Sequence, residues 1–328
     1  SESYGTGRGY TAAGAFAVLL LVSVLLHEIG HCVVARAFGL PVKSITVTFL
    51  AGLTEITEPP QTPAREYAVA VIGPLISLLL AGVGFGLLPL FEQGSLPYLL
   101  SAIVALSNGL VAAFNLLPGL PLDGGRVLRS ALWQITGDPD RSTVLAAQAG
   151  RVVAVVVVPV LLLGVLPGLG VTQLSVSTVL LTALVAAFIY VGANATLKRE
   201  AFQARVPRAS VAALARPAVA VPAGTPLAEA VRQAQEAGVH GVVVVDGLGR
   251  PEAVVNEAAL LAVPEDRRPW VAVSTVARRI VDGMVLDASL SGEALLAAMR
   301  ALPASEYVVE HPLRVLATAD VAAVVTPG

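Results

Sequence analysis

Charge is scarce in this chain. Asp, Glu, Lys and Arg make up 13% of its 328 residues, against roughly a quarter in an ordinary soluble domain. Neither sign dominates, since the formal net charge is -2. The basic residues form no dense cluster, which argues against a nucleic-acid binder. Cysteine is limited to Cys32, so no internal disulfide and no cysteine-rich metal site can form. Histidine occurs only four times, which gives weight to any two that fall close together.

Apolar residues take the place of charge. They make up 55% of the chain, and the mean hydropathy is +0.78. Their distribution is uneven: residues 201–328 hold 11 of the 21 Lys and Arg and 13 of the 23 Asp and Glu. The sequence therefore reads as a membrane domain, 1–200, followed by a soluble tail, 201–328. Five apolar runs, at about 11–35, 67–90, 97–118, 151–170 and 174–197, approach the roughly 20 residues that a spanning helix needs. The first is too long and too rich in chemistry for a signal peptide.

Basic residues set the orientation. Arg36, Lys43 and Arg65 follow the first run, Arg126, Arg129, Arg141 and Arg151 follow the third, and Lys198 and Arg199 follow the fifth. The alternate connections, "LFEQGSLP" and "PGLGVTQ", contain none. The basic side is expected to be cytoplasmic, and the tail with it.

Within the first run, His27-Glu28-x-x-His31 places two imidazoles on one helical face, where both can ligate one metal. Glu28 beside them can accept a proton from water. Ionisable groups at such depth are costly and usually functional. His27 lies about 24 Å along a helix begun near residue 11, towards the cytoplasmic side. Cys32 sits roughly 100° round the helix from His31 and is not required as a ligand.

A hydrolytic zinc site needs a third ligand, and the acidic candidates near spans are Glu66, Glu92 and Asp123. Glu92 falls on the opposite side. Glu66, between Arg65 and Tyr67, reads as an interfacial anchor. Asp123 follows Pro118, Gly119 and Pro121 and precedes Gly124 and Gly125. These breakers prevent regular helix, and irregular backbone at this depth must face protein or a wet cavity. That arrangement can turn Asp123 back towards the histidines.

His27-Glu28-x-x-His31, followed by Asn115-x-x-Pro118-x-x-x-Leu122-Asp123-Gly124, resembles the site-2 protease family of intramembrane zinc metalloproteases (peptidase M50-like). The resemblance implies one zinc ion per chain held by His27, His31 and Asp123, Glu28 as the general base, and Asn115 as a polar catalytic or substrate-orienting group. Gly73-Pro74-Leu75-Ile76-Ser77 matches the family's small-residue motif; Gly73 and Ser77 read either as close helix packing or as direct help at the site. Such families usually carry six spans, so a helix before residue 11 is expected to be missing from this chain.

Residues 42–56, "VKSITVTFLAGLTEI", alternate and are rich in β-branched residues, as a hairpin would be, with Gly52 as its bend. The resemblance implies a membrane-associated β-hairpin that receives substrate as an extended strand at Thr48, Phe49, Leu50, Ala51 and Gly52. Strand addition would satisfy the backbone groups that an unwound transmembrane segment exposes.

The tail divides near "EDRRPW" into halves of similar grammar, about 208–263 and 270–326. Each has a strand, a helix and a β-branched run. It resembles a tandem pair of cystathionine-β-synthase-type (CBS) domains. That likeness implies a regulatory or dimerising module, and an adenine nucleotide bound near Asn256 and Asp320. Both halves depart from the nucleotide pattern: Asn256-Glu257-Ala258-Ala259 lacks the Asp, and Ala317-Thr318-Ala319-Asp320 lacks the leading hydroxyl. Dimerisation or gating needs neither. His240 and His311 are single histidines near strands and read as solvent-facing or hydrogen-bonded.

The whole reads as a polytopic α-helical membrane protein with a membrane-associated β-hairpin and a cytoplasmic α/β tandem CBS module. The implied activity is intramembrane zinc proteolysis in a bacterial inner membrane. The implied substrate is a transmembrane or membrane-associated regulator, such as a sigma-factor precursor, an anti-sigma factor or a membrane-bound transcription factor. A CBS-gated transporter or channel, or an inactive metal-binding scaffold, would also account for spans and tail.

Overall fold

The structure, a computed structural model, describes residues 6–47, 52–56, 60–170 and 172–326, with side chains at 6–12, 43–47 and 52–56 outside the description. The chain divides into two compact units, residues 1–200 and 201–328.

The first unit is helical apart from one pair of strands. Helix α1 (Thr6–Ala37) is followed by β1 (Val42–Val47) and β2 (Gly52–Ile56), then by α2 (Pro63–Leu87) and α3 (Leu96–Asn115). Next come α4 (Asp123–Thr136) and α5 (Pro139–Val152). The fourth span continues from α5 through π-helical turns at Val153–Val157 and Val160–Val165, on either side of Pro159, to α6 (Leu166–Gly168). Helix α7 (Val176–Arg205) closes the unit. Among the described residues, five helical segments are long and apolar enough to cross a membrane: Ala13–Ala37, Pro63–Leu90, Leu96–Asn115, Pro139–Gly168 and Val176–Arg208. This is a multi-pass membrane protein.

Local chemistry fixes the ends of these helices. Thr62, Ser95 and Asp138 cap α2, α3 and α5 through their side-chain oxygens, each with a proline in the first turn, where a missing N–H costs nothing. Gly137, at φ 72°, ends α4 in the left-handed conformation. The fourth helix begins at Pro139 rather than near residue 151, because its first turns are amphipathic and pack on α4, with Ser142, Thr143, Ala146 and Ala147 buried. The third helix stops at Asn115, before Pro118.

Strands β1 and β2 pair antiparallel with Val47 opposite Gly52. Gly52 therefore opens β2 as the partner of Val47 and does not form the bend of the connection between the strands. Thr48, Phe49, Leu50 and Ala51 occupy that connection and lie outside the described residues. The start of β1 is anchored by Leu40, which packs with Ala35 of α1, Val69 of α2 and the half-buried Val42.

The second unit begins with the end of α7, a 3-10 turn at Val206–Arg208 and α8 (Val211–Leu214). It continues through β3 (Arg216–Pro222), α9 (Leu227–Glu236), β4 (Gly241–Val245), β5 (Pro251–Val255) and α10 (Glu257–Leu261). The short strand β6 (Ala277–Arg279) follows, then α11 (Gly292–Ala301), β7 (Glu306–Val309), β8 (Arg314–Ala317) and α12 (Thr318–Val325). The six strands form one sheet in the order β6-β5-β4-β3-β8-β7. Only β3 and β4 run parallel as neighbours, and the remaining pairs are antiparallel.

The pattern β3–α9–β4–β5–α10 recurs as Val285–α11–β7–β8–α12. In the second copy the first strand has shrunk to a single parallel bridge from Val285 to Val308. Each copy has its own core. Leu227, Ala230 and Ala234 of α9 pack on Val242 and Val244, while Leu295 and Met299 of α11 pack on Tyr307, Val309 and Leu316. Val243, Val254, Met284, Val308 and Val315 join the copies across the sheet.

Candidate metal centre

Helix α1 carries His27, Glu28 and His31 at 5%, 6% and 4% exposure. These three offer ligand atoms within 4.8 Å of one another and form a group able to hold a metal ion. The i,i+4 spacing stacks the two imidazoles on one side of the helix, and their ring centroids are 4.9 Å apart.

Helix α2 backs both rings. Val69, Gly73 and Ser77 are spaced by four and share one face. His31 Nδ1 lies 2.6 Å from the carbonyl oxygen of Val69, and His27 Nδ1 lies 3.0 Å from Ser77 Oγ. Between these contacts stands Gly73. A β-carbon there would sit 2.3 Å from His31 Nε2 and 2.5 Å from His27 Nε2, so a side chain at this position would fill the space where the rings converge.

Asp123 arrives from the other side as the first residue of α4, where the helix dipole favours a carboxylate. The breaker-rich connection that brings it back is pinned by its backbone. Leu120 N donates to Ala146 O of α5 at 3.1 Å, and Leu122 N donates to Gly119 O at 3.0 Å. Gly150 of α5 lies so close that a β-carbon would be 2.0 Å from Leu120 O.

Asp123 Oδ2 ends 3.1 Å from His27 Nε2 and 3.3 Å from His31 Nε2, and the two Nε2 atoms are 3.2 Å apart. Burial works against the ionised form of Asp123, but the two imidazoles beside it outweigh that and hold its carboxyl well below the usual range.

The donor set fits a zinc ion. Two imidazole nitrogens and one carboxylate oxygen are a common catalytic zinc set that leaves a fourth position open. Bond lengths of about 2.0–2.1 Å in a tetrahedron put the ligand atoms about 3.3 Å apart, close to the three separations seen here. The outer contacts agree. Because a carbonyl can only accept, His31 carries its proton on Nδ1 when neutral, so the Nε2 lone pair faces the carboxylate. A metal ion held between the three atoms would take up all of these lone pairs.

Asn115 ends α3 and is half-buried. Among the described residues no hydrogen bond joins its side chain to His27, His31 or Asp123. Gly73 and Ser77, read from sequence as packing or direct help, both touch the histidines. Glu66 is not an exposed interfacial anchor: it is 3% exposed and paired with Arg126 and Arg129 of α4. Sequence reasoning missed this pairing, although Glu66 lies seven and eleven residues before Gly73 and Ser77 and so shares their face. The Val69 contact uses backbone, which no side-chain motif reports.

In the tail, Asn256 and Asp320 are engaged within their own unit. Asn256 Oδ1 caps α10 by accepting from Ala259 N at 2.8 Å, and its Nδ2 donates to Glu306 at 3.0 Å and to Ser305 Oγ at 3.1 Å. Asp320 forms an ion pair with Arg216.

Comparison with known proteins follows the same residues. Segments 15–102 and 90–158 match the model of Peptidase family M50. Over 138 residues the chain is 44% identical to "Putative zinc metalloprotease sll0528" of Synechocystis sp., a match covering 41% of this chain and 36% of that protein. It is 33% identical over 134 residues to "Putative zinc metalloprotease MJ0611" of Methanocaldococcus jannaschii, covering 35% of this chain and 70% of that protein. Among solved structures, the Site-2 Protease from Methanocaldococcus jannaschii aligns over 55% of this chain and 76% of its own, at 31% identity and a TM-score of 0.41. The chain thus spans little more than a third of the length of its cyanobacterial relative.

Proposed function

This chain belongs to peptidase family M50, and from that premise we propose that it is a zinc endopeptidase that cuts a protein segment within or against the membrane. The observation that carries this reading is the meeting of His27 Nε2, His31 Nε2 and Asp123 Oδ2 at 3.1–3.3 Å, with both histidines on a helix apolar enough to span. These three residues hold the metal. When bound, zinc supplies Lewis acidity to a substrate carbonyl and to a water molecule.

The chain's own groups do the rest. Glu28, buried beside the ligands, takes the proton from the attacking water and delivers it to the leaving amine nitrogen. Ser77 and the Val69 carbonyl hold the two rings with Nε2 inward. Asn115, at the end of α3, orients the substrate. The β1–β2 pair receives the substrate as an added strand beside the membrane, and Thr48, Phe49, Leu50, Ala51 and Gly52 are the residues proposed to bind it. That offers partners to peptide groups released from a helix.

The substrate class is a transmembrane or membrane-associated regulatory protein, of the kind represented by sigma-factor precursors, anti-sigma factors and membrane-bound transcription factors. The membrane is the inner membrane of a bacterium. The basic connections, with Arg36 and Arg65 after the first span and Arg126, Arg129 and Arg141 after the third, support a cytoplasmic location for that side of the site and for the tail. The tail acts as a tandem CBS module, and its repeated strand–helix–strand–strand–helix order supports that reading. Asn256 is engaged by Glu306, and Oδ1 of Asp320 by Arg216, which favours a dimerising or gating role over adenine-nucleotide binding at Asn256.

The test is cleavage of a reconstituted transmembrane substrate by the purified protein in lipid vesicles. Cleavage should stop when a chelator strips the metal and return on adding zinc. Cleavage that survives complete metal removal would sink the proposal, and zinc loading without any proteolysis would favour a scaffold.

A further inference from the structure

A second group of charges adjoins the metal centre. Glu66 occupies the first turn of α2 yet is buried. Arg126 Nε donates to Glu66 Oε1 at 3.0 Å, and Arg129 Nη1 lies 3.4 Å from Oε2. Arg129 also reaches α5, where its Nε donates to Thr143 Oγ1 at 2.7 Å. One buried carboxylate therefore faces two partly buried guanidiniums, Arg126 at 26% and Arg129 at 16% side-chain exposure.

The placement of these residues along their helices matters more than the pairing itself. Arg126 and Arg129 follow Asp123 by three and six residues, on one face of α4. Glu66 precedes Val69, Gly73 and Ser77, the residues of α2 that back the histidine rings, by three, seven and eleven. The ion pairs thus join the helix behind His27 and His31 to the helix that supplies the carboxylate.

Electrostatics links the two clusters as well. Burial would lower the pKa of Arg126, but Glu66 raises it above its ordinary value, and the carboxylates of Asp123 and Glu28 add to that. Exposed ion pairs hold little. A buried carboxylate between two guanidiniums is different, because neutralising it leaves uncompensated charge in a dry place.

We propose that Glu66 is a positioning residue for the metal centre: through Arg126 and Arg129 it locks α4 against α2 and holds Asp123 within ligating range of His27 and His31 before any cation arrives. This inference rests on the reading above, in which those three residues bind the metal.

The test uses the full-length protein in detergent, comparing wild type with Glu66→Gln, Asp123→Asn and Thr143→Val. Zinc affinity is measured by competition with a chromogenic chelator, alongside melting of the metal-free forms and cleavage at rising zinc. Thr143→Val loosens α4 against α5 without touching Glu66, so it controls for simple loss of stability around the same arginine. Glu66→Gln should lose about tenfold in zinc affinity. Its cleavage should return at saturating zinc with KM unchanged, which a general packing defect would not allow. Thr143→Val should bind zinc like wild type.

Wild-type zinc affinity in Glu66→Gln, or an equal loss in Thr143→Val, would overturn the proposal. Equal zinc binding by wild type and Asp123→Asn would instead overturn the ligand assignment beneath it. If Glu66→Gln fails to accumulate, Arg129→Gln removes only the longer pair. A loss smaller than that predicted for Glu66→Gln is then expected, and wild-type affinity would overturn the inference.

Discussion

The Nδ1 atom of His31 lies 2.6 Å from the carbonyl oxygen of Val69, one helix away. That single bond decides where the imidazole proton sits, and so leaves Nε2 free to face His27 and Asp123. The matching contact at His27 uses the side chain of Ser77, so only one of the two can be removed by substitution.

Ser77→Ala should therefore weaken metal binding without unfolding the helix pair. Loss of such an outer partner typically lowers metal affinity by about 10–100-fold. Chelator competition on the purified variant measures it, and circular dichroism checks that helicity is retained.

Gly73→Ala should be far more damaging. The added methyl would stand 2.3 Å from His31 Nε2, and the rings cannot retreat because Val69 and Ser77 hold them from behind. Both zinc binding and cleavage should be lost. Gly82→Ala, on the same helix but with open space around it, should leave both unchanged.

Asn108 is 2% exposed on α3, and its amide donates to Ser23 Oγ at 3.1 Å on α1, one turn from His27. Asn108→Ala should cost about 1 kcal/mol of helix association, as interhelical hydrogen bonds in membranes do. Denaturant titration in mixed micelles reads the loss, and zinc affinity in the folded form should stay within about twofold, since an interhelical bond worth so little does not touch the ligands.

In the tail, Asn256→Ala removes the cap of α10 and leaves the buried Glu306 with fewer donors. The cap and the exposed deficit together should cost about 2–3 kcal/mol. Hydrogen exchange should quicken first in α10 and β7, with no change in the zinc content of the membrane unit.

Much of the architecture was legible because the bilayer imposes a coarse rule. Only long apolar helices cross it, and the five runs match the five helices to within a few residues except where α5 begins early and where α7 runs on to Arg205. The first turns of α5 are polar on one side, so hydropathy alone passed over them. The histidine pair was legible because i,i+4 spacing is local. The approach of Asp123, 92 residues after His31, could be argued from proline and glycine breakers, but its 3.1 Å distance could not. Gly52 was misassigned because turn residues favour glycine in general, whereas the register pairs Gly52 with Val47 at the start of β2. Glu66 looked interfacial because its neighbours in sequence are polar, and its real partners lie 60 and 63 residues away.

Glu28 separates a hydrolase from a protein that merely holds zinc, and one paired measurement on Glu28→Gln puts it to the test: zinc bound per chain, and cleavage of a transmembrane substrate in the same vesicles. One zinc per chain should remain, because the proposed ligands are His27, His31 and Asp123. Cleavage should fall by about 100-fold or more, the scale of a lost general base. Full zinc together with near wild-type cleavage would contradict the role assigned to Glu28, and with it the proposed mechanism.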